Sequence, residues 1–408
     1  MTRSRFMTVI IASGISLLTI ALIYFPKEAL EASRVGLEMW WKIVFPSLLP
    51  FLIISELLIG FGVVKFIGVI FEPLMRPLFK VPGVGGFVWA MGMASGFPAG
   101  AKLTARLRQE KQLTAIEAER LVSFTNASNP LFIFAAVSVG FFENPNLGVI
   151  LAASHYLGNA CVGIIMRFHG KEDVHHKPKK KEKKKYLVEA LRELHRTRLK
   201  EKRPFGQLLG DAVSSSIQTL LMIGGFIILF SVLNKLLSLV NILAIVGAIL
   251  AFVLKLFQLP AELSIPLISG IFEITTGSMM TSQITNVDLL FKVVIVSFIL
   301  GFCGLSVQAQ VASILAETDI RFKPFFIARI MHGFTAGTLA LLLWKPLYVN
   351  ISESHTTGGI ISVFFQEHPP HWIEFIWNNL LTYGPLFTIS SLLLYIVIYT
   401  RRIKSHQI

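Results

Sequence analysis

Long apolar runs separated by short polar stretches recur along this chain. The first run covers twenty uncharged residues, 6–25, about the length that a helix needs to cross the hydrocarbon of a bilayer. Bulky residues follow it where a signal peptide would have a small-residue cleavage site, so we interpret it as an uncleaved span. Further runs predict spans at about residues 43–62, 129–142, 147–166, 331–347 and 380–399, and apolar stretches at 205–237 and 242–257.

One apolar stretch, residues 84–100, is interrupted by the turn-forming sequence GFPAG at Gly96 to Gly100. Cytoplasmic-type positive charges flank this stretch on both sides. It is therefore predicted to enter and leave the membrane on one side, as a re-entrant hairpin. Residues 106–121 are polar with a helical pattern, which predicts a helix in the cytoplasm or among the headgroups.

The second half contains two interrupted apolar stretches, residues 263–280 and 293–315. The sequence GFCG at Gly301 to Gly304 ends an apolar run and opens a small and polar one, as GFPAG does, and predicts a second hairpin. Corresponding broken segments in two halves are typical of internally duplicated transporters. The predicted fold is an all-α, polytopic transmembrane protein whose two related halves contain re-entrant hairpins and broken helices.

The distribution of Lys and Arg predicts that both termini and residues 168–204 are cytoplasmic. One conflict remains, because an inverted repeat needs hairpins that enter from opposite sides, whereas Arg321, Lys323 and Arg329 indicate the cytoplasmic side again. The predicted divisions are 1–38 (first span and outer loop), 39–167 (first half), 168–204 (basic linker), 205–348 (second half) and 349–408 (outer loop, last span and basic tail).

Composition and charge narrow the function classes. With 53% hydrophobic and 15% charged residues and a mean hydropathy of +0.66, the chain is too apolar for a water-soluble protein. The net charge is +14, of which residues 171–203 contribute +8. Lysines between two membrane blocks are typical of a cytoplasmic loop that sets topology and touches anionic lipid, so no nucleic-acid partner is predicted.

No enzyme signature is present, since the chain lacks HExxH, a P-loop, GxSxG and a metal-spaced cluster of His, Cys and carboxylates. We therefore predict no catalytic residue, metal site or cofactor. The two cysteines indicate no disulfide framework. His155 and His332 fall within spans, where a histidine more often forms a hydrogen bond between helices than a ligand contact.

Polar and helix-breaking residues at membrane depth are the functional candidates, because ionisable groups there are costly. The first patch comprises Gly96, Pro98, Gly100 and Lys102. The break exposes the amide end of the next half-helix, which attracts anions, and Lys102 would reinforce that attraction. The alternative is a tight loop whose lysine reaches the headgroups.

The second patch comprises Asn126, Ser128, Asn129 and Pro130. It predicts either an unwound helix that faces a binding cavity or an ordinary helix N-cap followed by proline at the first helical position.

The third patch comprises Glu273, Thr275, Thr276 and Gly277. Its carboxylate could carry a proton, bind a cation, bond a substrate hydroxyl or partner a neighbouring helix. Glu56 is a weaker candidate, for which the alternative is a pair with Lys42 or with another helix.

The fourth patch comprises Gly304, Ser306, Gln308 and Gln310. Gln308 and Gln310 would point about 200° apart on a helix, so one of them at most is expected to face a ligand.

These motifs, in this order, resemble the nucleoside-recognition or Gate membrane domain, which includes concentrative nucleoside transporters, the gates of ferrous-iron permeases and a group of sporulation membrane proteins. The resemblance implies a concentrative-nucleoside-transporter-like core with substrate between hairpin tips and broken helices, which makes all four patches candidate substrate-binding residues. Similarity to the sporulation proteins implies transport of a small organic anion, dipicolinic acid, from the mother cell across the outer forespore membrane. Lys102 just past the turn departs from nucleoside carriers and suits a dianion.

Alternatives within the same fold are a nucleoside or cation permease and a non-transporting sporulation scaffold that recruits partners through the basic linker. The expected partners are a small anionic substrate and membrane lipid, and a homo-oligomer is compatible with the sequence.

Overall fold

A computed structural model describes residues 3–170 and 186–350. The predicted span at 380–399, the predicted outer loop and the lysine-rich residues 171–185 lie outside the described residues. All regular structure within the described ranges is helical. The predicted all-helical class is confirmed.

The first half contains α1 (Arg3–Tyr24), α2 (Pro26–Met39), a π-helical turn (Trp40–Val44), α3 (Phe45–Gly60), α4 (Val63–Phe79), α5 (Val84–Ser95), α6 (Ala99–Gln109), α7 (Ala115–Thr125), a π-helix (Phe132–Phe141) and α8 (Leu147–Met166). The second half contains α9 (Tyr186–Lys200), α10 (Phe205–Leu239), α11 (Ile242–Leu256), a 3₁₀ turn (Ala261–Leu263), α12 (Ser264–Phe272), α13 (Ile274–Gln283), α14 (Leu289–Phe302), α15 (Gly304–Leu315), α16 (Phe322–Trp344) and a π-helical turn (Lys345–Val349).

Within residues 3–170 and 186–350, four helical stretches are long and apolar enough to cross a membrane: Leu147–Met166, Phe205–Leu239, Leu289–Leu315 and Phe322–Val349. Two further apolar pairs are sharply bent, by 102° between α1 and α2 and by 84° between α3 and α4. Each bent pair has the length and composition of a broken span or a re-entrant loop. The structure is that of a membrane protein with several crossings.

The chain reverses direction at the GFPAG motif, which confirms the predicted hairpin. A Cβ atom on Gly92 would lie 3.5 Å from the Cα of Gly100. In one continuous helix these positions would be separated by about 12 Å of rise, so α5 and α6 must fold back on each other. The tip consists of Gly96, Phe97 and Pro98, between the end of α5 and the start of α6.

The polar stretch 106–121, predicted as helical, belongs to two helices separated by a turn. Helix α6 ends at Gln109, and α7 begins at Ala115 with a capping box, in which Thr114 accepts from the Glu117 amide and Glu117 accepts from the Thr114 amide. This reciprocal pair satisfies two backbone donors and favours a new helix start over continuation.

The second hairpin lies at Glu273, not at the GFCG motif as predicted. A Cβ on Gly277 would lie 2.2 Å from the Cα of Gly270, although seven residues of continuous helix would rise about 10 Å. By contrast, α14 and α15 continue each other through the break at Cys303 as one 27-residue span. Cys303 adopts a left-handed conformation (φ 65°), which interrupts the helix without reversing it.

Three ion pairs gather charged turns at one end of the molecule, which we call the charged face. Arg76 bonds Glu117 (2.7 Å), Arg108 bonds Asp319 (2.6 Å), and Arg321 bonds Glu119 (2.6 Å). These contacts place the base of the first hairpin beside the turn between α15 and α16. In each of the last two pairs, one residue belongs to the first half of the chain and the other to the second half.

The two hairpins enter from opposite faces. The base of the second hairpin adjoins the start of α14, a full 27-residue crossing away from the charged face, or about 40 Å. This removes the conflict in the charge pattern, because Arg321 and Lys323 follow that crossing rather than the hairpin. Arg329 is fully buried within α16 and carries no information about sidedness.

Asp319 permits a pH test of the contact between the halves. Hydrogen bonds from Arg108 hold the pKa of the Asp319 carboxyl below its ordinary value near 3.8. Such a group stabilises the fold above its ordinary pKa and loses that contribution as the pH falls through the lowered value. We expect Asp319→Asn to reduce the free energy of unfolding near neutral pH by about 0–1 kcal/mol, measured as a slightly lower thermal midpoint in detergent. Well below the lowered pKa, the substitution should have no effect. An equal loss at both pH values would contradict this role.

Candidate functional site

Each hairpin tip packs against the break in the crossing that follows it. A Cβ on Gly96 would lie 3.1 Å from the Asn129 amide nitrogen, so the first tip touches the unwound segment Asn126–Asn129. A Cβ on Gly304 would lie 3.3 Å from the Ile274 nitrogen, so the second tip touches the break at Cys303. Both glycines have positive φ, and these close approaches leave no room for a side chain.

Both tip-and-break pairs open onto one small cavity of about 80 Å³. Its polar wall comes from the two halves together, whereas its apolar wall comes from the π-helical turn before α3 and from α2, α3 and α10. The apolar wall comprises Met39, Val44, Leu48, Ile223 and Ile227. The small cavity therefore lies between the broken elements and a separate group of helices.

The structure brings seven predicted site residues together around the small cavity: Gly96, Ser128, Asn129, Glu273, Thr275, Ser306 and Gln310. All four predicted patches contribute. The remaining predicted residues do not line it: Pro98, Gly100, Lys102, Asn126, Pro130, Thr276, Gly277, Gly304 and Gln308.

Asn129 combines the two interpretations of its patch. Residues 126–129 are unwound, and the Asn129 side chain caps the following helix by accepting from the Phe132 amide (2.7 Å), with Pro130 at the helix start. Its amide group also donates to the Ser95 carbonyl at the end of α5 (3.1 Å). The residue is therefore a cap, a link to the hairpin and part of the cavity wall.

Glu273 caps α13 in the same manner at the second hairpin tip. Its carboxylate accepts from the Thr276 amide (2.7 Å) and the Thr276 hydroxyl (3.0 Å), and the residue is 2% exposed. Both of these hydrogen-bond partners lie within the same hairpin as Glu273. They are not on a neighbouring helix, which was one of the alternatives for this carboxylate. The carboxylate adds negative charge to an otherwise uncharged cavity wall.

Three helical segments begin with residues that line the small cavity, namely the π-helix at Phe132–Phe141, α13 and α15, and α6 begins just after the lining residues Gly96 and Phe97. Helix starts carry unpaired N–H groups and partial positive charge. Asn129 and Glu273 cap two of these starts, whereas α6 and α15 have no side-chain cap. The site can thus offer backbone donors to an acceptor-rich solute.

Lys102 lies one helical turn away from the hairpin tip and outside the small cavity. Its ammonium pairs with Glu56 (3.3 Å) and donates to the Ser215 hydroxyl (3.2 Å). Lys102 therefore bonds residues of α3 and α10 rather than residues of the hairpin tip. Glu56 pairs with this lysine on another helix, while Lys42 pairs with Glu38 (3.0 Å).

A second, larger cavity of about 760 Å³, which we call the charged vestibule, surrounds Lys102. Its lining is mostly charged and polar and includes Glu56, Lys65, Arg106, Lys200, Arg203, Asp211, Ser215 and Glu317. It lies between α3 and α10 on one side and α6 and α15 on the other. The small cavity shares α3, α10 and α15 with the vestibule.

An apolar layer of Leu52, Ala99 and Leu220 separates the two cavities. On α3, Leu48 lines the small cavity and Glu56 lines the vestibule, with Leu52 one turn from each. On α10, Leu220 lies between Thr219 of the vestibule and Ile223 of the small cavity, although the vestibule also reaches Met222. Ala99 lies between Phe97 of the small cavity and Lys102 of the vestibule. The three side chains of the layer are 0–2% exposed, belong to one hydrophobic cluster and line neither cavity.

Gly100 and Gly277 serve close packing rather than the cavity wall. A Cβ on Gly100 would lie 2.2 Å from the Thr125 carbonyl oxygen, and one on Gly277 would meet Gly270. The two glutamines of α15 diverge as their spacing predicts. Gln310 lines the small cavity, and Gln308 donates to the Phe302 carbonyl (3.0 Å).

Sequence reasoning missed Arg329 as a site residue. Its guanidinium bonds the backbone of the unwound segment from α16, while His155 and Tyr156 of α8 bond Ser128 from the other side. The signal in the sequence was an arginine inside an apolar helix. The sequence analysis used this arginine only as an indicator of the cytoplasmic side. The predicted hydrogen bond between helices is present at His332, which contacts the His155 carbonyl of α8, whereas the His155 ring accepts from the Ser128 amide of the unwound segment.

Fold and site together define a polytopic helical membrane protein with a small cavity between two hairpin tips and two broken helical segments. The Gate family, described as nucleoside recognition, matches residues 41–143 and 220–320, and the chain belongs to this family. It is 56% identical to the sporulation integral membrane protein YlbJ of Bacillus subtilis (strain 168), over 99% of each chain. The family resemblance is thereby confirmed.

Two solved structures are also similar. A substituted variant of CNTnw in an outward-facing state has a TM-score of 0.42 and 14% identity, covering 86% of this chain and 88% of that chain. CNTnw in an inward-facing substrate-bound state has a TM-score of 0.41 and 12% identity, with the same coverage.

Proposed function

We propose that the protein is a secondary transporter of a small organic dianion, dipicolinic acid, which it moves from the mother cell toward the forespore during sporulation. The observation that carries this proposal is the small cavity, which the starts of three helical segments line between a polar and an apolar wall. A flat aromatic dicarboxylate suits such a site, because backbone donors bind its carboxylates and the apolar wall contacts its ring.

Transport requires the small cavity to enlarge. At about 80 Å³ it is far below the roughly 300 Å³ at which typical ligand pockets begin, and the apolar layer closes it from the vestibule. We propose that the hairpins and broken crossings move as a unit against α3 and α10, which separates the layer. We propose this motion rather than a motion of one half of the chain against the other, because both halves contribute to the same cavity wall.

The orientation belongs to the same proposal. The charged face carries Arg76, Arg108 and Arg321, which supports its placement toward the mother-cell cytoplasm in the outer forespore membrane. The charged vestibule opens near α9, the described part of the basic linker. A dianion would thus meet Lys102 before it reached the small cavity.

One observation favours a second candidate, a nucleoside or cation permease. Glu273 places a buried carboxylate on the cavity wall, where it would repel a dianion but bond a hydroxyl or attract a cation. The family description, nucleoside recognition, points in the same direction. The charge at this position is therefore the best means of distinguishing the candidates.

Uptake by phospholipid vesicles that contain the purified protein tests both candidates. We expect wild-type protein to take up dipicolinate and Glu273→Gln to lower its KM by about tenfold, because removing a buried negative charge relieves repulsion. If the protein is instead a nucleoside or cation permease, Glu273→Gln should abolish the uptake of that nucleoside or cation.

Thr276→Ala is the matched control for Glu273→Gln. It removes one hydrogen bond to the carboxylate but keeps the charge, so dipicolinate KM should change little. Absence of dipicolinate uptake by correctly folded wild-type protein, combined with uptake of a nucleoside or a divalent cation, would overturn the first candidate.

A further inference from the structure

Arg329 connects the second half of the chain to the unwound segment of the first half. It lies on α16 with no exposed surface, and its guanidinium stacks on the Phe325 ring (5.4 Å). One terminal nitrogen donates to the Asn126 carbonyl (2.9 Å) and the other to the Ser123 carbonyl. Asn159 of α8 supplies a further acceptor (3.1 Å).

The break after α7 creates the need for these bonds. The last carbonyls of a helix have no partner within the helix, and the hydrocarbon offers none. Ser123 lies in the last turn of α7, and Asn126 is its C-terminal cap residue. A cation at this end also faces the negative end of the helix dipole.

None of the guanidinium's hydrogen-bond partners is a carboxylate in the described part of the chain. A buried charge is costly unless it is well hydrogen-bonded, and an apolar side chain of similar size would be cheaper if packing were its whole role. The charge of Arg329 is directed instead to backbone oxygens that the break has freed.

The other groups around the break act on its far end. His155 accepts from the Ser128 amide (3.0 Å), and the Tyr156 hydroxyl donates to the Ser128 carbonyl (3.0 Å). His332, one turn after Arg329, contacts both the Arg329 guanidinium (3.1 Å) and the His155 carbonyl (2.8 Å). The segment is thus held at its start by α16 and at its end by α8.

We propose that Arg329 is a positioning residue that fixes the unwound segment Asn126–Asn129, and thereby keeps Ser128 and Asn129 at the wall of the small cavity. The consequence for uptake rests on the proposed function, whereas the effect on the segment does not. Arg329 touches no lining residue through its side chain, and it acts through the backbone that precedes Ser128.

Hydrogen–deuterium exchange of the peptide over residues 123–132 tests this proposal in detergent. We expect Arg329→Met to raise the exchange rate of this peptide by about tenfold or more, the size expected for lost hydrogen bonds from a charged donor. Arg329→Lys should restore part of the protection, because it keeps a cation with fewer donors. In vesicles, Arg329→Met should raise the uptake KM more than it lowers the maximal rate.

Ser154→Ala is the matched control, because it removes a buried hydrogen bond between α8 and α14 (3.2 Å) in the same bundle. It should leave exchange over 123–132 and the KM unchanged. Equal exchange in wild type and Arg329→Met, or an increase spread evenly over all helices, would overturn the positioning role. If Arg329→Met fails to fold, Arg329→Lys alone decides, since unchanged exchange and KM there contradict a requirement for the guanidinium fork. A wild type without uptake would contradict the proposed function while the exchange result still stands.

Discussion

Gly100→Ala and Gly277→Ala are each expected to reduce uptake by more than tenfold and to lower the thermal midpoint of the purified protein. The added methyl group on Gly100 would lie 2.2 Å from the Thr125 carbonyl oxygen, and that on Gly277 would lie 2.2 Å from the Cα of Gly270. Both obstacles are backbone atoms that cannot rotate away. Overpacking of this kind costs about 1–3 kcal/mol or more, and here it acts at the hairpins that form the cavity wall.

Gly210→Ala and Gly225→Ala are the matched controls. Both positions lie in α10, and an added Cβ would meet nothing within 4 Å. Alanine favours a helix over glycine by about 1 kcal/mol, so these variants should be as stable as wild type or more stable. Normal uptake by Gly100→Ala and Gly277→Ala would contradict the close approach of the hairpin arms.

Opening the apolar layer should connect the two cavities. In a background with Cys161→Ala and Cys303→Gly, a cysteine introduced by Gln310→Cys reports on the small cavity, since Gln310 lines it. We expect the pair Leu52→Ala and Leu220→Ala to raise the labelling rate of that cysteine by a charged thiol reagent by about tenfold or more. Truncating buried leucines leaves a cavity in place of a sealed contact.

Leu236→Ala controls for truncation on the same helix. Leu236 is also a buried leucine of α10, but it belongs to a different hydrophobic cluster. Its truncation should not change the labelling rate. If the Leu52→Ala and Leu220→Ala pair labels at the same rate as Leu236→Ala, the layer does not separate the cavities. If the reagent reacts only from the side opposite the charged face, it does not reach the small cavity through the vestibule.

The two capping residues on the cavity wall give the site a dual character. The side-chain oxygens of Asn129 and Glu273 accept hydrogen bonds from backbone amides at two helix starts, whereas the starts of α6 and α15 have no side-chain cap. Under the proposed function, free backbone donors therefore remain for a solute at the uncapped start of α15, which lines the small cavity through Ser306. Displacement of a cap by a solute would cost the helix about 1 kcal/mol, which is small beside typical binding free energies.

Much of the site was predictable from local sequence. Apolar runs interrupted by Gly, Pro, Asn or Glu identify breaks at membrane depth, because such residues disturb a helix whatever surrounds it. All four predicted patches reach the small cavity. The capping role of Asn129 before Pro130 was likewise visible, since an N-cap depends on neighbouring residues only.

The sequence was a poor guide to what each break does. GFPAG and GFCG look alike, yet the first reverses the chain and the second interrupts a straight crossing. Reversal depends on whether the helix arms can pack against each other, and therefore on the glycines at positions 92, 100, 270 and 277. The capping box at Thr114 was a local signal that was overlooked.

Local composition and hydropathy identify the chain as a helical membrane protein and locate its Gly-, Pro-, Asn- and Glu-containing breaks and the polar residues at those breaks. Long-range packing makes Lys102 pair with Glu56 rather than face the small cavity, makes the hairpins enter from opposite faces, and brings Arg329 to the break in the first half. These outcomes depend on the direction of a side chain around its helix and on contacts between residues far apart in sequence. Neither is specified by a local pattern.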